Sequence, residues 1–423
     1  MKLFNKIKNI SLLLAAGAVF LTACNKLELD PVANTQAEQG TTPTLASFLD
    51  NPDSSFTFLK AALVRAGLAA SAGSPTLLQQ LSNPNQRFTV FAPDNNAFIA
   101  SGIPSVAVIN SLPVAQVFGI ASYHIVPQVI AASSIPSSFP NFQYPTILNP
   151  FPAASPLLRL TTFPSVRAGV GAWVNNVPII ATDIQAVNGV LHKVARVVAP
   201  PSQDLWTKIN TEPDLTYLKA AINRADSGVD VGKRIQDALQ IRPDNFAAFG
   251  ANLTLLAPTD DAMKAFLIGA ITQALVSQGL PPAMAQGQAT FLVTTYGTLI
   301  LTNPYALSPV LGAAITPRLA QGIVVYHILS SQSGTFALPG IRAFSVNLPA
   351  TATAVKTLLN SVVAAHPGIT VQATFVSLAP GVSVVAAATA KGAANATASN
   401  LTTLDVHCVN GVMHKIDQVL RPQ

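Results

Sequence analysis

Residues 88–98 read FTVFAPDNNAF and residues 253–263 read LTLLAPTDDAM, the same pattern 165 positions later. Each begins as a β-prone apolar run, Phe88 to Phe91 in the first, and reaches a proline, Pro93 or Pro258, that cannot donate to a ladder. Asp94-Asn95-Asn96 then reads as a turn and as the cap of a helix carrying Ala97 and Phe98. Three further blocks recur in the same order. FLKAALVRA at 58–66 returns as YLKAAINRA at 217–225, Tyr123-His124-Ile125 as Tyr326-His327-Ile328, and NGVLHK at 188–193 as NGVMHK at 410–415. A repeat this long means duplicated domains rather than a solenoid of short units. The second copy carries roughly 38 extra residues before its Tyr-His pair and roughly 19 after it.

The blocks also have local readings. Phe58, Leu59, Ala62, Leu63 and Ala66 fall at three- and four-residue spacing, which predicts an amphipathic helix capped by Asp53, Ser54 or Ser55. Asn188-Gly189 and Asn410-Gly411 are turn signals that open apolar runs. Val190, Leu191, Val194, Val197 and Val198 fit a helix as well as a strand by spacing, and the Asn-Gly pair and the valines favour the strand.

In this order, 88–98, Tyr123-His124 and 188–198 resemble the three signature blocks of the fasciclin domain family, and 253–263, Tyr326-His327 and 410–420 resemble a second set. The resemblance implies an α+β chain of two tandem fasciclin-like domains, each a small β-sandwich packed against several α-helices. The boundary falls near Pro200-Pro201-Ser202, giving domains at 44–201 and 202–423. It also implies a secreted or surface-anchored module for adhesion, without general catalytic activity and without a cofactor. Met263 departs from the aromatic that the family prefers, which Phe98 supplies in the first copy. The inserts 269–322 and 339–401 are where an individual binding specificity is expected, the latter as extended strands or a projecting hairpin.

The first 43 residues carry a different message. Lys2, Lys6 and Lys8 precede an apolar run at 10–21 that is too short to span a membrane, the grammar of a secretory signal. Leu21-Thr22-Ala23-Cys24 resembles the bacterial lipobox, so 1–23 reads as a lipoprotein signal peptide, Cys24 as the lipidated residue and 24–43 as a polar tether. The competing reading is an ordinary signal peptide with an incidental cysteine. The expected location is the cell envelope, as an outer-membrane lipoprotein on the cell-surface or periplasmic face. Cys408 then has no disulfide partner. Beside His407 it suggests a thiol–imidazole site, but a lone cysteine in an apolar strand is more often a buried small hydrophobe.

Composition excludes other classes. The 423 residues are 50% hydrophobic and only 10% charged, with a net charge of +6 that falls to +3 without the leader lysines. That is too little charge for a nucleic-acid-binding or disordered chain. Residues 95–158 and 265–317 hold no Lys, Arg, Asp or Glu, yet Pro, Ser, Asn and Gln interrupt them, so they read as packed helices and turns.

Tyr123, His124, Tyr326 and His327 are the candidate binding residues, since the resemblance associates this pair with adhesion; the alternative is that they are buried and brace the fold. Asn188, Gly189, His192, Asn410, Gly411 and His414 are read as a structural motif. Metal binding is not expected, because the histidines lie 68 and 87 residues apart without clustered ligands. No nucleophile elbow, P-loop or dinucleotide fingerprint is present, and the acids near the blocks, Asp94, Asp183, Asp204 and Asp260-Asp261, are few. The sequence therefore predicts a lipid-anchored, non-catalytic module presenting its domains to a polysaccharide, matrix or protein partner. The alternative is a periplasm-facing structural accessory subunit of an outer-membrane complex.

Overall fold

The apolar run of the first signature block becomes β1 (Phe88–Pro93), buried at every position. It pairs in parallel with β8 (Gly189–Val194), the run opened by Asn188-Gly189, and so joins the two motifs in mid-sheet. The computed structural model describes residues 42–50, 55–137, 142–330 and 341–422. The signal segment, Cys24, all of the tether before Thr42, the proposed caps Asp53 and Ser54, and residues 339 and 340 of the second insert lie outside the described residues.

In the first half, helices α1 (Leu45–Asp50), α2 (Thr57–Ala66) and α3 (Leu77–Ser82) precede β1. Helices α4 (Asn95–Ala100), α5 (Val106–Ser111) and α6 (Val114–Tyr123) follow it. The chain continues through β2 (Ile125–Val126), β3 (Tyr144–Pro145), β4 (Thr161–Thr162), β5 (Pro164–Arg167), β6 (Gly171–Val174) and β7 (Val177–Ala186) before reaching β8. The strand order is β2-β1-β8-β7-β6-β5. β7 pairs with β6 through Val177 and Pro178, then with β8 from Ile179 onward. Two register shifts within the β8-paired part bend it, with Asp183 at φ 56. Bulges of this kind let one strand serve two layers. Helices pack on the β1–β8 side, where α2 buries Leu59, Ala62, Leu63 and Ala66.

The second half repeats this plan. Helices α7 (Leu205–Thr211), α8 (Thr216–Ala225) and α9 (Ile235–Leu239) lead into β9 (Leu253–Pro258). Six helices follow: α10 (Asp260–Ser277), α11 (Pro282–Tyr296), α12 (Leu299–Thr302), α13 (Pro304–Leu307), α14 (Pro309–Ala314) and α15 (Pro317–Tyr326). The strands after them are β10 (Ile328–Leu329), β11 (Thr353–Val355), β12 (Ile369–Ala379), β13 (Val382–Gly392), β14 (Ser399–Cys408) and β15 (Gly411–Ile416). Their order, β10-β9-β15-β14-β13-β12-β11, again places the two signature strands β9 and β15 in parallel contact. β14 switches partner as β7 does, from β13 at Ser399 and Asn400 to β15 from Leu401 onward, and a register shift further along holds Asp405 at φ 59. The chain is α+β, a bent sheet backed by helices, twice.

Among the described residues, the uncharged stretches are mostly packed helices and turns, with the short strands β2 and β3 in the first of them. No helix among the described residues is long and apolar enough to cross a membrane. The insert at 339–401 forms the β12–β13 hairpin around Gly381. Its tip is not left open to solvent alone. Ser383 donates to Val170 O at 2.8 Å and accepts, through its carbonyl, the Trp173 indole N–H at 2.9 Å. Part of the segment expected to hold specificity therefore joins the halves.

That junction is extensive. Phe163, Trp173, Phe344, Val346 and Val412 form one apolar cluster drawn from both halves, and Asn347 donates to Ser165 at 3.0 Å. Arg167 donates to Leu348 O at 2.6 Å and lies 4.5 Å from the Phe375 ring centre. Residues 43–423 accordingly form one compact unit. Trp173→Phe keeps most of the ring but removes the indole donor, stranding the Ser383 carbonyl. We expect a loss of about 1–2 kcal/mol in urea unfolding. Full retention of stability would show that the indole bond contributes nothing at the junction.

The helix caps differ from expectation. Residue Phe56, not 53–55, stands at the start of α2 and supplies no side-chain cap. The cap comes from another helix: Asn95 Oδ1 accepts the Phe58 N–H at 3.0 Å, while its own N–H donates to Ser55 O at 2.7 Å. Asp260 does the same in the second half, accepting from Tyr217 at 2.9 Å and donating to Asp214 O at 2.7 Å. Asp94, the expected cap of α4, does accept from Ala97 N at 2.8 Å, and Thr259 takes that place on α10. The structural equivalents are thus Asp94 with Thr259 and Asn95 with Asp260.

Candidate functional site

The duplicated polar motifs were the residues most able to carry function, and the structure buries them. His124 closes the C-terminus of α6, where helix carbonyls lack partners. Its Nδ1–H donates to Ile120 O at 2.8 Å and its Nε2 accepts from Val198 N at 2.9 Å. His327 at the end of α15 repeats both bonds, to Ile323 O at 2.8 Å and from Leu420 N at 2.9 Å. Each ring ties the last helix before the sheet to the segment just beyond the final strand. Both rings are 1% exposed. Burial pushes each imidazole down to about 4, outweighing the backbone carbonyl that favours its charged form.

The tyrosines are equally enclosed. Tyr123 donates to Thr161 O at 2.8 Å and accepts from Asn175 at 3.2 Å. Tyr326 donates to Gly368 O and accepts from Ala393 N at 3.0 Å. Burial raises both phenols, Tyr123 to about 12. The four candidate binding residues therefore have their polar atoms spent inside, and the structure gives them a bracing position rather than an exposed one.

The Asn-Gly-x-x-His-Lys blocks are braces too. Asn188 is fully buried; it accepts from Leu45 N at 2.9 Å and donates to Leu81 O at 2.8 Å and Asn83 O at 3.0 Å. Asn410 accepts from Leu205 N at 2.9 Å and donates to Leu239 O at 2.9 Å. One amide thus fixes two helices to the turn before the central strand. Asn188→Ala leaves two buried backbone groups and one partly buried one without this partner, and at about 1–3 kcal/mol each with partial relaxation we expect about 3 kcal/mol of destabilisation. Chemical denaturation reads it directly, and a loss below 1 kcal/mol would contradict the bracing role.

His192 and His414 use the opposite tautomer to the Tyr-His rings. His192 Nε2–H donates to Ile130 O at 2.7 Å and its Nδ1 accepts from Asp183 N at 3.3 Å. His414 donates to Ala343 O at 2.9 Å and accepts from Asp405 N at 3.2 Å. Each thereby holds the bulge that bends the long strand. Burial lowers the His192 pKa. Lys193 pairs with Asp94 at 2.7 Å, and Lys415 with Glu212 and Asp214 at 2.6 and 2.7 Å. Among the described residues, no group of three His, Cys, Asp or Glu side chains could hold a metal.

Cys408 and His407 are neighbours that face opposite sides of β14, as strand alternation dictates. Cys408 is 1% exposed, its thiol pushed up to about 12 by burial. His407 Nε2 instead lies 3.1 Å from Arg342 Nη1, with the Phe344 ring centre at 5.1 Å. Arg342, 2% exposed, also donates to Cys408 O at 3.2 Å and Val409 O at 2.9 Å and sits 4.8 Å from the Phe163 ring centre of the other half. Burial lowers its pKa to about 10. Sequence reading missed this junction residue. Its signal was a lone arginine in an insert otherwise almost free of charge.

With this geometry in view, comparison with known proteins is informative. Residues 64–200 match the family model described as the fasciclin domain. The chain is 32% identical over 138 residues to Protein sll1483 of Synechocystis sp. (strain ATCC 27184 / PCC 6803 / Kazusa), a match covering 32% of this chain. The chain spans 66% of the length of that relative. Among solved structures it is similar to a FAS1 domain pair from the insect cell adhesion molecule fasciclin I. That match has a TM-score of 0.30 and 14% identity, and covers 87% of this chain and 97% of the other.

Proposed function

We propose that the chain is a non-catalytic binding or adhesion module of the cell envelope, with fasciclin-like domains at 44–201 and 202–423. In this reading Cys24 carries the lipid anchor, residues 24–43 form the tether, and the two domains present their outer loops to a polysaccharide, matrix or surface-protein partner. The observation that carries it is the use of the duplicated polar residues. Tyr123, His124, Asn188, His192 and their second-half counterparts spend their hydrogen bonds on holding helices, bulges and strand ends together. A fold braced in this way, with its halves packed as one unit, is suited to presenting a fixed surface. The fasciclin match over 64–200 supports the same class.

Protease treatment of intact cells beside permeabilised ones tests the placement. Digestion in intact cells is expected. Protection until permeabilisation would remove the surface-adhesion reading and leave a role facing the periplasm. Replacing Cys24 with Ser should release the chain from the membrane fraction, and retention of that variant would overturn the anchor.

A further inference from the structure

Helices of the second half, some shared with the first half and some added, line an apolar cavity of about 230 Å³. Its lining includes Ala221 on α8, Met263, Leu267 and Ile271 on α10, Leu301 on α12 and Ile323 on α15, and Gln273 is its one polar side chain. The repeat does not account for it. The first-half counterpart of α10, helix α4, stops at Ala100 after six residues, whereas α10 runs 18 residues to Ser277. Leu267, Ile271 and Gln273 lie beyond the stretch that the two halves share, so the insertion builds this wall.

Much of the lining follows one helix. Met263, Phe266, Leu267, Ala270 and Ile271 line the cavity from one stripe of α10. From Met263 to Gln273 that stripe is about 15 Å long at the helical rise per residue. The mouth is marked by Leu319, which is 44% exposed, and by exposed Gln273. Residues 265–317 hold no charged side chain, so a buried occupant meets no ionic partner along that wall.

Protein interiors are packed with few voids larger than a water molecule, and water needs polar partners that this lining does not supply. Smaller apolar cavities, of about 150 Å³, stay dry and accept hydrocarbon. We propose that this cavity is a binding site for a linear hydrocarbon chain, the acyl tail of a fatty acid or lipid. The tail enters past Leu319 and leaves its headgroup outside near Gln273. The site stands independently of the adhesion reading: Ala221 and Met263 come from the repeated blocks, and the insert supplies Ala270, Ile271, Gln273, Leu301 and Leu319.

Titration of the full chain with the fluorescent polyene cis-parinaric acid tests it. Saturable one-to-one binding is expected. Ala270→Phe, which fills the trough, should weaken it at least tenfold with Tm unchanged or raised. Leu319→Asp, at an exposed position that the fold tolerates, should produce the same loss and covers the case in which the filled variant does not fold. Phe291→Gln, on an exposed apolar face of α11 outside the lining, should leave binding unchanged. Displacement by decanoate alone identifies free fatty acid as the source, and displacement by 1-decanoylglycerol as well identifies acyl tails of neutral lipids. Absence of saturable binding, binding unaltered by both cavity variants, or binding lost in Phe291→Gln would overturn the proposal.

Discussion

Gly189→Ala is expected to cost about 4–5 kcal/mol, at the upper end of what a single substitution does. The reason is local and severe. Gly189 sits at φ +149, and a Cβ there would stand 1.9 Å from Phe88 O and 2.9 Å from Phe88 C. These are backbone atoms of β1, the strand that β8 pairs with in parallel. They cannot swing aside as a flexible side chain would, so the two central strands must separate or the turn must reshape. Gly73 provides the comparison: it is also at positive φ, +82, but nothing lies within 4 Å of its would-be Cβ. Gly73→Ala should therefore cost only the conformational term, about 1 kcal/mol. Gly411→Ala should behave like Gly189→Ala, because its Cβ would meet Leu253 O at 2.4 Å. Urea unfolding of the three variants measures the contrast. Equal losses at Gly189 and Gly73 would show that sterics in mid-sheet are not the cause.

Acid should unfold the chain earlier than its carboxylates alone would dictate. His124 and His327 are held neutral in the fold, with pKa values lowered to about 4 from 6.5, chiefly by burial. The unfolded chain binds a proton on each ring near pH 6.5, so between pH 6.5 and 4 it carries more protons than the fold does. Stability is therefore complete above pH 6.5, is lost as pH falls toward 4, and levels off below. At 1.36 kcal/mol per pKa unit each ring accounts for about 3 kcal/mol, and the pair for about 6. Glu212, Asp237 and Asp417, whose carboxyls are held below their ordinary values, add their loss only at the acid end of this range. His124→Gln should be less stable at pH 7 yet lose about 3 kcal/mol less than the parent between pH 7 and 4. Parallel pH profiles for parent and variant would show that the ring is not the titrating group.

The repeated blocks and their order were legible because each obeys a local rule. An apolar run ending at Pro93 or Pro258 becomes a strand, and a polar residue after it caps a helix. Asn-Gly opens a turn into β8 and β15. These rules act over a few residues, so one sequence suffices to read them. The capping of α2 by Asn95 was not legible, since the donor and acceptor lie 37 residues apart and meet only once the helices pack. The sandwich bend at Asp183 and Asp405 was likewise hidden, because a bulge is a mismatch between two strands rather than a property of one.

For the candidate residues the division is sharper. Sequence marked Tyr123, His124, Asn188 and His192 with their second-half partners as positions of interest, and it offered both a binding and a bracing reading for the Tyr-His pairs. Exposure and hydrogen-bond partners decide between such readings, and both depend on distant segments: Val198 for His124, Leu420 for His327, Leu45 and Leu81 for Asn188. Arg342 at the junction and the cavity beside α10 were beyond the sequence for the same reason. By itself the sequence determined the duplication, the signature strands and their turns, because these follow from covalent neighbours and short-range periodicity. Only the tertiary structure decided which polar groups are sealed, how the two halves lock together and where space is left open, because packing is a relation between residues far apart in the chain.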